Sequence, residues 1–261
     1  MCLLVLAWQA HPRYRLIVAA NRDEYHERPA APLARWPEPP GILAGRDLRA
    51  AGTWLGLDPA RRFGVVTNFR ELQQARPAAP SRGSLIPRYL AGGTDAAGFF
   101  GGLAGTADGY PGFNLLLADD HSLWYGSNRA QPFARALAPG VYGLSNELLD
   151  TPWPKLVRVK RRFAQWLATP SATAADLFAL LADRTQALAG DAPPPAPGGL
   201  PREWERILSA PFVVHPTYGT RCSTVLMLEP DGAGCLAERR FDGSGAPQGE
   251  TEFRLNAGDW P

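Results

Sequence analysis

The residue of this chain best suited to covalent chemistry is the cysteine in second position. Removal of Met1 would leave Cys2 carrying both a thiol and the free α-amine of the chain. An α-amine titrates near about 7.7–8.0 and a thiol near about 8.5, so the two can exchange a proton close to neutral pH. Asn21, Arg22, Asp23 and Glu24 form the next polar cluster, directly after the apolar run 15–20. If runs 2–8 and 15–20 pair as a hairpin, this cluster returns to Cys2. Asp23 can then hold the α-ammonium while Arg22 favours the thiolate. Taken singly, Cys2 is also a small residue opening a strand, and 21–24 a solvated turn. Partners that converge on Cys2 separate the two readings.

Three further polar pairs end or interrupt apolar runs: Thr67-Asn68 after FGVV, Ser145-Asn146 after VYGL, and Thr220-Arg221 before CSTVLML. An asparagine amide at a strand end can donate to a developing oxyanion, and one such donor is worth about 3 kcal/mol of barrier. Each pair is equally compatible with turn chemistry.

The elements that must position these groups are mostly strands. Residues 2–8 and 15–20 read as an opening hairpin across His11 and Pro12, and 53–58, 62–68, 113–118 and 122–126 as further strands. Runs 220–229, 234–242 and 250–255 read as a meander with turns at Asp231-Gly232 and Gly243-Ser244-Gly245. Helical spacing puts Leu156, Val159, Phe163, Trp166 and Leu167 on one face of 154–168, with Lys155, Arg158, Arg161 and Arg162 mostly on a solvated face. A second helix is predicted over 173–189, capped by Thr173, with Asp176 in its first turn and Gly190 at its end. The Pro/Gly-rich stretch 191–201 reads as an exposed loop. Strands early and late, with helices between, are not the alternation of a parallel sheet. They predict antiparallel sheets with helices outside, in one domain spanning 1–261.

Composition narrows the functions. With 27 basic and 25 acidic residues the formal net charge is +2, too small a field to indicate nucleic acid. The N-terminus lacks the basic region and cleavage site of a secretory signal, and no apolar run reaches the roughly 20 residues of a membrane span. The expectation is a cytoplasmic protein without membrane insertion. Three cysteines, Cys2, Cys222 and Cys235, suit a reducing compartment, and the scattered histidines do not suggest a structural zinc site.

MC at 1–2, AANRDE at 19–24, AGTWLG at 51–56, VVTN at 65–68, GFNLL at 112–116, YGLSNELLDTPWPK at 142–155 and YGTRCST at 218–224 together resemble the NRDE family, also called the transport and Golgi organisation protein 2 family. Ala51 stands where that family usually has the first glycine of GGTWLG. The family in turn resembles the cysteine N-terminal-nucleophile hydrolases, which include choloylglycine hydrolases and penicillin V acylases. This implies an α+β fold, a four-layer αββα sandwich of antiparallel sheets. It also implies Cys2 as nucleophile, with Arg22 and Asp23 flanking it, here adjacent in sequence. Asn68 and Asn146 would be oxyanion and substrate donors, Arg221 a distal arginine supporting the nucleophile, and Asn21, Thr67, Trp54 and Ser145 substrate-binding residues. The implied reaction is hydrolysis of an amide or thioester bond of an acylated small molecule, with no required cofactor.

The family is also associated with haem trafficking and acyl-lipid metabolism, which implies the alternative of a non-catalytic carrier of haem or an acyl ligand. Candidate haem ligands are then Cys2, His11, His26 and His215, and Trp8, Trp36, Trp54 and Trp124 are available to line a flat apolar pocket. Nothing in the chain resembles a c-type haem attachment motif.

Overall fold

The computed structural model describes residues 2–71, 79–188 and 200–261. Its first strands are β1 (Cys2–Trp8), β2 (Leu16–Tyr25), β3 (Ala30–Arg35), β4 (Leu43–Asp47), β5 (Leu55–Leu57) and β6 (Phe63–Asn68). After helices α1 (Leu85–Ala91) and α2 (Ala96–Leu103) come β7 (Phe113–Ala118), β8 (Leu123–Ser127), β9 (Ala134–Leu137) and β10 (Gly140–Leu144). Helices α3 (Pro154–Leu167), α4 (Ala174–Leu181) and α5 (Arg202–Leu208) precede β11 (Tyr218–Leu228), β12 (Gly234–Phe241) and β13 (Pro247–Leu255). The strands form two antiparallel sheets, in the orders β10-β1-β2-β11-β12-β13 and β3-β4-β5-β6-β7-β8-β9. The α+β class with antiparallel sheets and helices is therefore present.

Contacts group the chain into two compact units. Met1–Glu27, Pro139–Ser145 and Leu149–Pro261 carry the six-stranded sheet, and Arg28–Ala138 with Asn146–Leu148 the seven-stranded one.

In the first unit the expected hairpin pairs Cys2 with Arg22 and Trp8 with Leu16. Strand β2 runs five residues past the apolar segment, because Asn21 to Tyr25 are laddered to β11 on one side and Asn21 and Arg22 to β1 on the other. Polar side chains do not end a strand whose backbone has partners on both edges. Leu3, Val5, Ile17, Ala19, Val225 and Met227 face α3 and α4, meeting Leu156, Val159, Phe163, Leu177 and Leu181 in one apolar core. Helix α3 comes so close to β10 that a Cβ on Gly143 would lie 2.8 Å from Leu156 Cδ1. The predicted cap of α4 is a full capping box between Thr173 and Asp176. The helix ends at Leu181, well short of 189, because the Leu181 carbonyl accepts from Asn21 Nδ2 at 2.9 Å. Gly190 and most of the expected 191–201 loop lie outside the described residues, and Pro201 leads into α5.

In the second unit α1 and α2 cover one face of the sheet with Leu85, Ile86, Tyr89, Leu90, Phe100 and Leu103. Strand β3 is an edge strand with an irregular register between Ala31 and Ala34, which is where Pro32 is tolerated. Among the described residues no helix is long and apolar enough to cross a membrane.

Candidate active site around Cys2

The antiparallel registers align Cys2 with Arg22, Arg22 with Cys222, and Cys222 with Arg240. These four residues form one row across four strands, and neighbours in such a row have Cβ atoms about 4.5–5.5 Å apart. Arg22 is 6% exposed and stands between two thiols. Cys2 is partly exposed whereas Cys222 is buried, so Cys2 is the accessible thiol of the row. Burial, followed by the carboxylate of Glu238, pushes the Cys222 thiol well up, and Arg22 opposes them. The Ser145 hydroxyl donates to the Cys2 carbonyl at 2.9 Å and pins the start of β1 to the end of β10.

Asn21 and Asp23 project from the other face of β2, because side chains alternate along a strand. Asn21 Nδ2 donates to Leu181 O and Pro211 O, both at 2.9 Å, and its Oδ1 accepts from Ser223 Oγ at 2.6 Å. Both amide hydrogens are thereby occupied, so Asn21 anchors α4 and the 211 loop rather than offering a donor to a substrate. Asp23 is 2% exposed; its Oδ1 accepts from Thr220 Oγ1 at 2.7 Å and its carbonyl from Tyr218 OH at 3.0 Å. Burial drives the Asp23 carboxyl upward, and Lys155, the Thr220 hydrogen bond and Arg22 draw it back. Being one residue beyond the partner of Cys2, Asp23 lies past the amino end of β1.

Arg221 sits at the register shift between Thr220 and Cys222. Such a bulge re-aims a side chain out of the regular alternation. Its Nη1 donates to the carbonyls of Tyr25 and His26 at 3.0 and 3.1 Å, tying down the end of β2. Burial and then the charge of Arg22 lower Arg221 from the usual arginine value.

The other predicted site residues belong to the second unit. Asn146 Nδ2 donates to Asn68 O at 3.0 Å and to Asn68 Oδ1 at 2.7 Å. A backbone carbonyl can only accept, so it fixes Asn146 with its nitrogen toward Asn68, and the Asn68 atom facing that nitrogen must be its oxygen. Nothing among the described residues accepts from Asn68 Nδ2, which is the donor this arrangement leaves over. Thr67 Oγ1 accepts from Asn114 Nδ2 at 3.3 Å, and Tyr125 OH donates to Asn114 Oδ1 at 2.8 Å, so Thr67 is part of a buried interior network. The Trp54 ring lies against Gly45, where a Cβ would collide with it, and the Trp54 carbonyl accepts from Val66 N at 2.9 Å.

Sequence reasoning missed Lys155 and Glu238. Lys155 was placed on the solvated face of α3, yet it is 3% exposed. The signal was available, since Lys155 stands four residues before Val159, on the buried stripe. Glu238, 2% exposed, lay in a meander strand whose register no pattern specified.

The candidate haem histidines have local partners. His11 Nδ1 accepts from Arg13 N and Tyr14 N at 3.1 and 3.3 Å. His26 Nε2 is hydrogen-bonded to His215 O at 2.9 Å, and the His215 ring lies 4.6 Å from that of Trp204. Among the described residues no group of three or more His, Cys, Asp or Glu is placed to hold a metal.

The sequence pattern of the Transport and Golgi organisation 2 family matches residues 1–243. The Transport and Golgi organization protein 2 homolog of Bos taurus is 36% identical over 98% of this chain and 100% of its own length. The Homo sapiens homolog is 33% identical over the same shares. Among solved structures, the Caenorhabditis elegans N-acylethanolamine-hydrolyzing acid amidase ortholog aligns with TM-score 0.43 and 12% identity, covering 88% of this chain and 93% of that one.

Proposed function

The chain belongs to the Transport and Golgi organisation 2 family, which is the NRDE family, and within it we propose that Cys2 is the nucleophile of a hydrolase acting on an amide or thioester bond of an acylated small molecule. The observation that carries this reading is the register of Cys2 with Arg22: a partly exposed thiol beside a buried guanidinium. The guanidinium stands beside the sulfur that would attack a substrate carbonyl. Ser145 holds the Cys2 backbone from the carbonyl side.

In the proposed reaction Met1 is removed and the α-amine takes the thiol proton. Sγ attacks the substrate carbonyl carbon, and the carbon–nitrogen or carbon–sulfur bond breaks as the leaving amine or thiol takes that proton. Water then attacks the acyl–Sγ bond, releasing the acid and restoring the thiol. The three free thiols support a reducing compartment such as the cytoplasm. Haem carriage gains no support from His11, His26 and His215, each of which already has a ring nitrogen engaged.

Intact-mass analysis after incubation with an activated acyl thioester tests the reading. The expected result is a chain lacking Met1 that gains one acyl group at Cys2, with turnover lowered at least about 1000-fold in Cys2→Ala. A chain that keeps Met1, forms no adduct and binds haem equally well as wild type and Cys2→Ala would instead be a carrier.

A further inference from the structure

Strand β13 is the last member of the six-stranded sheet, and among the described residues only β12 ladders with it. Its register with β12 runs without a break from Gly249 to Leu255, and the chain then turns, with Asp259 N donating to Asn256 O. The far edge of β13 therefore presents backbone N–H and C=O groups that a further strand can pair. Natural sheets blunt such an edge with charge, bulges or proline. In β13 the proline, Pro247, and the register shift both fall at the start, and the edge beyond them is regular. Its charges are of both signs: Glu250, Glu252 and Arg254 stand on one face, and Thr251, Phe253 and Leu255 on the other. Glu250 is held by Arg239 across the ladder at 2.7 Å. The Arg254 side chain is 89% exposed and meets the Glu252 carboxylate of its own strand at 3.6 Å.

Geometry and charge together specify what fits this edge. Facing residues of an antiparallel pair point their backbone groups alike, so a strand paired with its own copy must place a residue on the two-fold axis. An axis at Thr251 sets Glu250 against Glu252 of the second copy, and an axis at Glu252 sets that carboxylate against itself. An axis at Arg254 does the same to the guanidinium. An axis at Phe253 is different: it sets Glu252 against Arg254 twice, Phe253 against Phe253, Thr251 against Leu255, and Glu250 against the uncharged Asn256. Opposite charges and aromatic pairs directly across a ladder stabilise it, whereas like charges oppose it.

We propose that the far edge of β13 docks a second copy of this chain, antiparallel about a two-fold axis at Phe253, so that two six-stranded sheets run on as one. The shared ladder is short, covering 251–255 of each copy, so the dimer forms reversibly with concentration. The edge lies in the first unit and the inference is independent of any chemistry at Cys2.

Sedimentation equilibrium of the full chain from about 10 μM to about 1 mM should show a reversible monomer–dimer equilibrium. Arg254→Glu and Glu252→Arg each turn both cross-strand pairs into like charges and should weaken dimerisation at least about tenfold. The double variant Glu252→Arg/Arg254→Glu should dimerise like wild type. An equimolar mixture of the two single variants should form the heterodimer, although neither variant pairs with itself. Both side chains are exposed, and recovery in the double variant and in the mixture separates lost docking from lost folding. The register is read by cross-linking: under mild oxidant Phe253→Cys should give a disulfide between the two copies of position 253, identified by peptide mass spectrometry. Thr251→Cys should not, since its counterpart lies four residues along the second strand, about 13 Å away. A wild type that stays monomeric at about 1 mM, single variants that associate as strongly as wild type, or a cross-link at 251 in place of 253 overturns the inference.

Discussion

Cys2 draws its distinction from its neighbours, since Cys222 lies in the same row of side chains beside the same arginine. Accessibility separates the two thiols: one is partly exposed, and the other is buried against Glu238. Ser145 makes a further contact with Cys2, through the Cys2 carbonyl. Replacing Ser145 by Ala should leave that carbonyl without the hydroxyl and cost about 1 kcal/mol, read as a lower urea midpoint at unchanged slope. Under the proposed hydrolase reading, acylation of Cys2 should slow in the same variant, because a displaced thiol loses attack geometry. An unchanged acylation rate would show that Ser145 does not place the nucleophile.

At the scale of elements, the NRDE segment does two different jobs on the two faces of one strand. Arg22 serves the Cys2 row, while Asn21 ends α4 and holds the 211 loop through Leu181 O and Pro211 O. Two backbone carbonyls in the interior depend on that one amide. Asn21→Ala should therefore destabilise the protein by about 1–3 kcal/mol, more than Ser145→Ala, because it orphans buried acceptors on two elements. Hydrogen exchange should show early loss of protection in α4, with β1 little affected. Equal loosening of β1 and α4 would contradict this local role.

On the scale of the molecule, all three cysteines are free, and the strand register explains why no pair closes in the first unit. Cys235 stands opposite Met227, five positions along β11 from Cys222, a separation of about 17 Å at the usual rise of a strand. Disulfides span at most about 7 Å between Cα atoms. Titration of the denatured, unreduced protein should count three thiols, and in the native protein Cys2 should be labelled ahead of the other two. A count of one would mean that a cystine had formed and would remove the argument for a reducing compartment.

Much of the architecture was legible in the sequence, because β1, β6, β7, β8 and β11 are largely apolar runs, turn residues at Asp231-Gly232 and Gly243-Ser244-Gly245 mark off β12 and β13, and α3 carries a clear helical stripe. The cap at Thr173 was equally local, needing only a carboxylate three residues on. Local pattern failed where long-range pairing set the outcome. Ala30–Arg35 and Ala134–Leu137 are short edge strands with little apolar character, and Ala96–Leu103 contains three glycines yet is helical because Phe100 and Leu103 are buried in the second core. Candidate residues could be named from type and position, but not their faces. One residue of register decides that Arg22 joins Cys2 while Asn21 and Asp23 turn to the helices, and a bulge decides that Arg221 ties down β2. The sequence by itself determined most of the apolar strands and the helical stripe of α3, and it named candidate residues by their type and position. Tertiary structure alone decided which side chains share a face and how the chain divides between two units. A strand's two faces differ by a single position, and only its hydrogen-bonded partners fix which position that is.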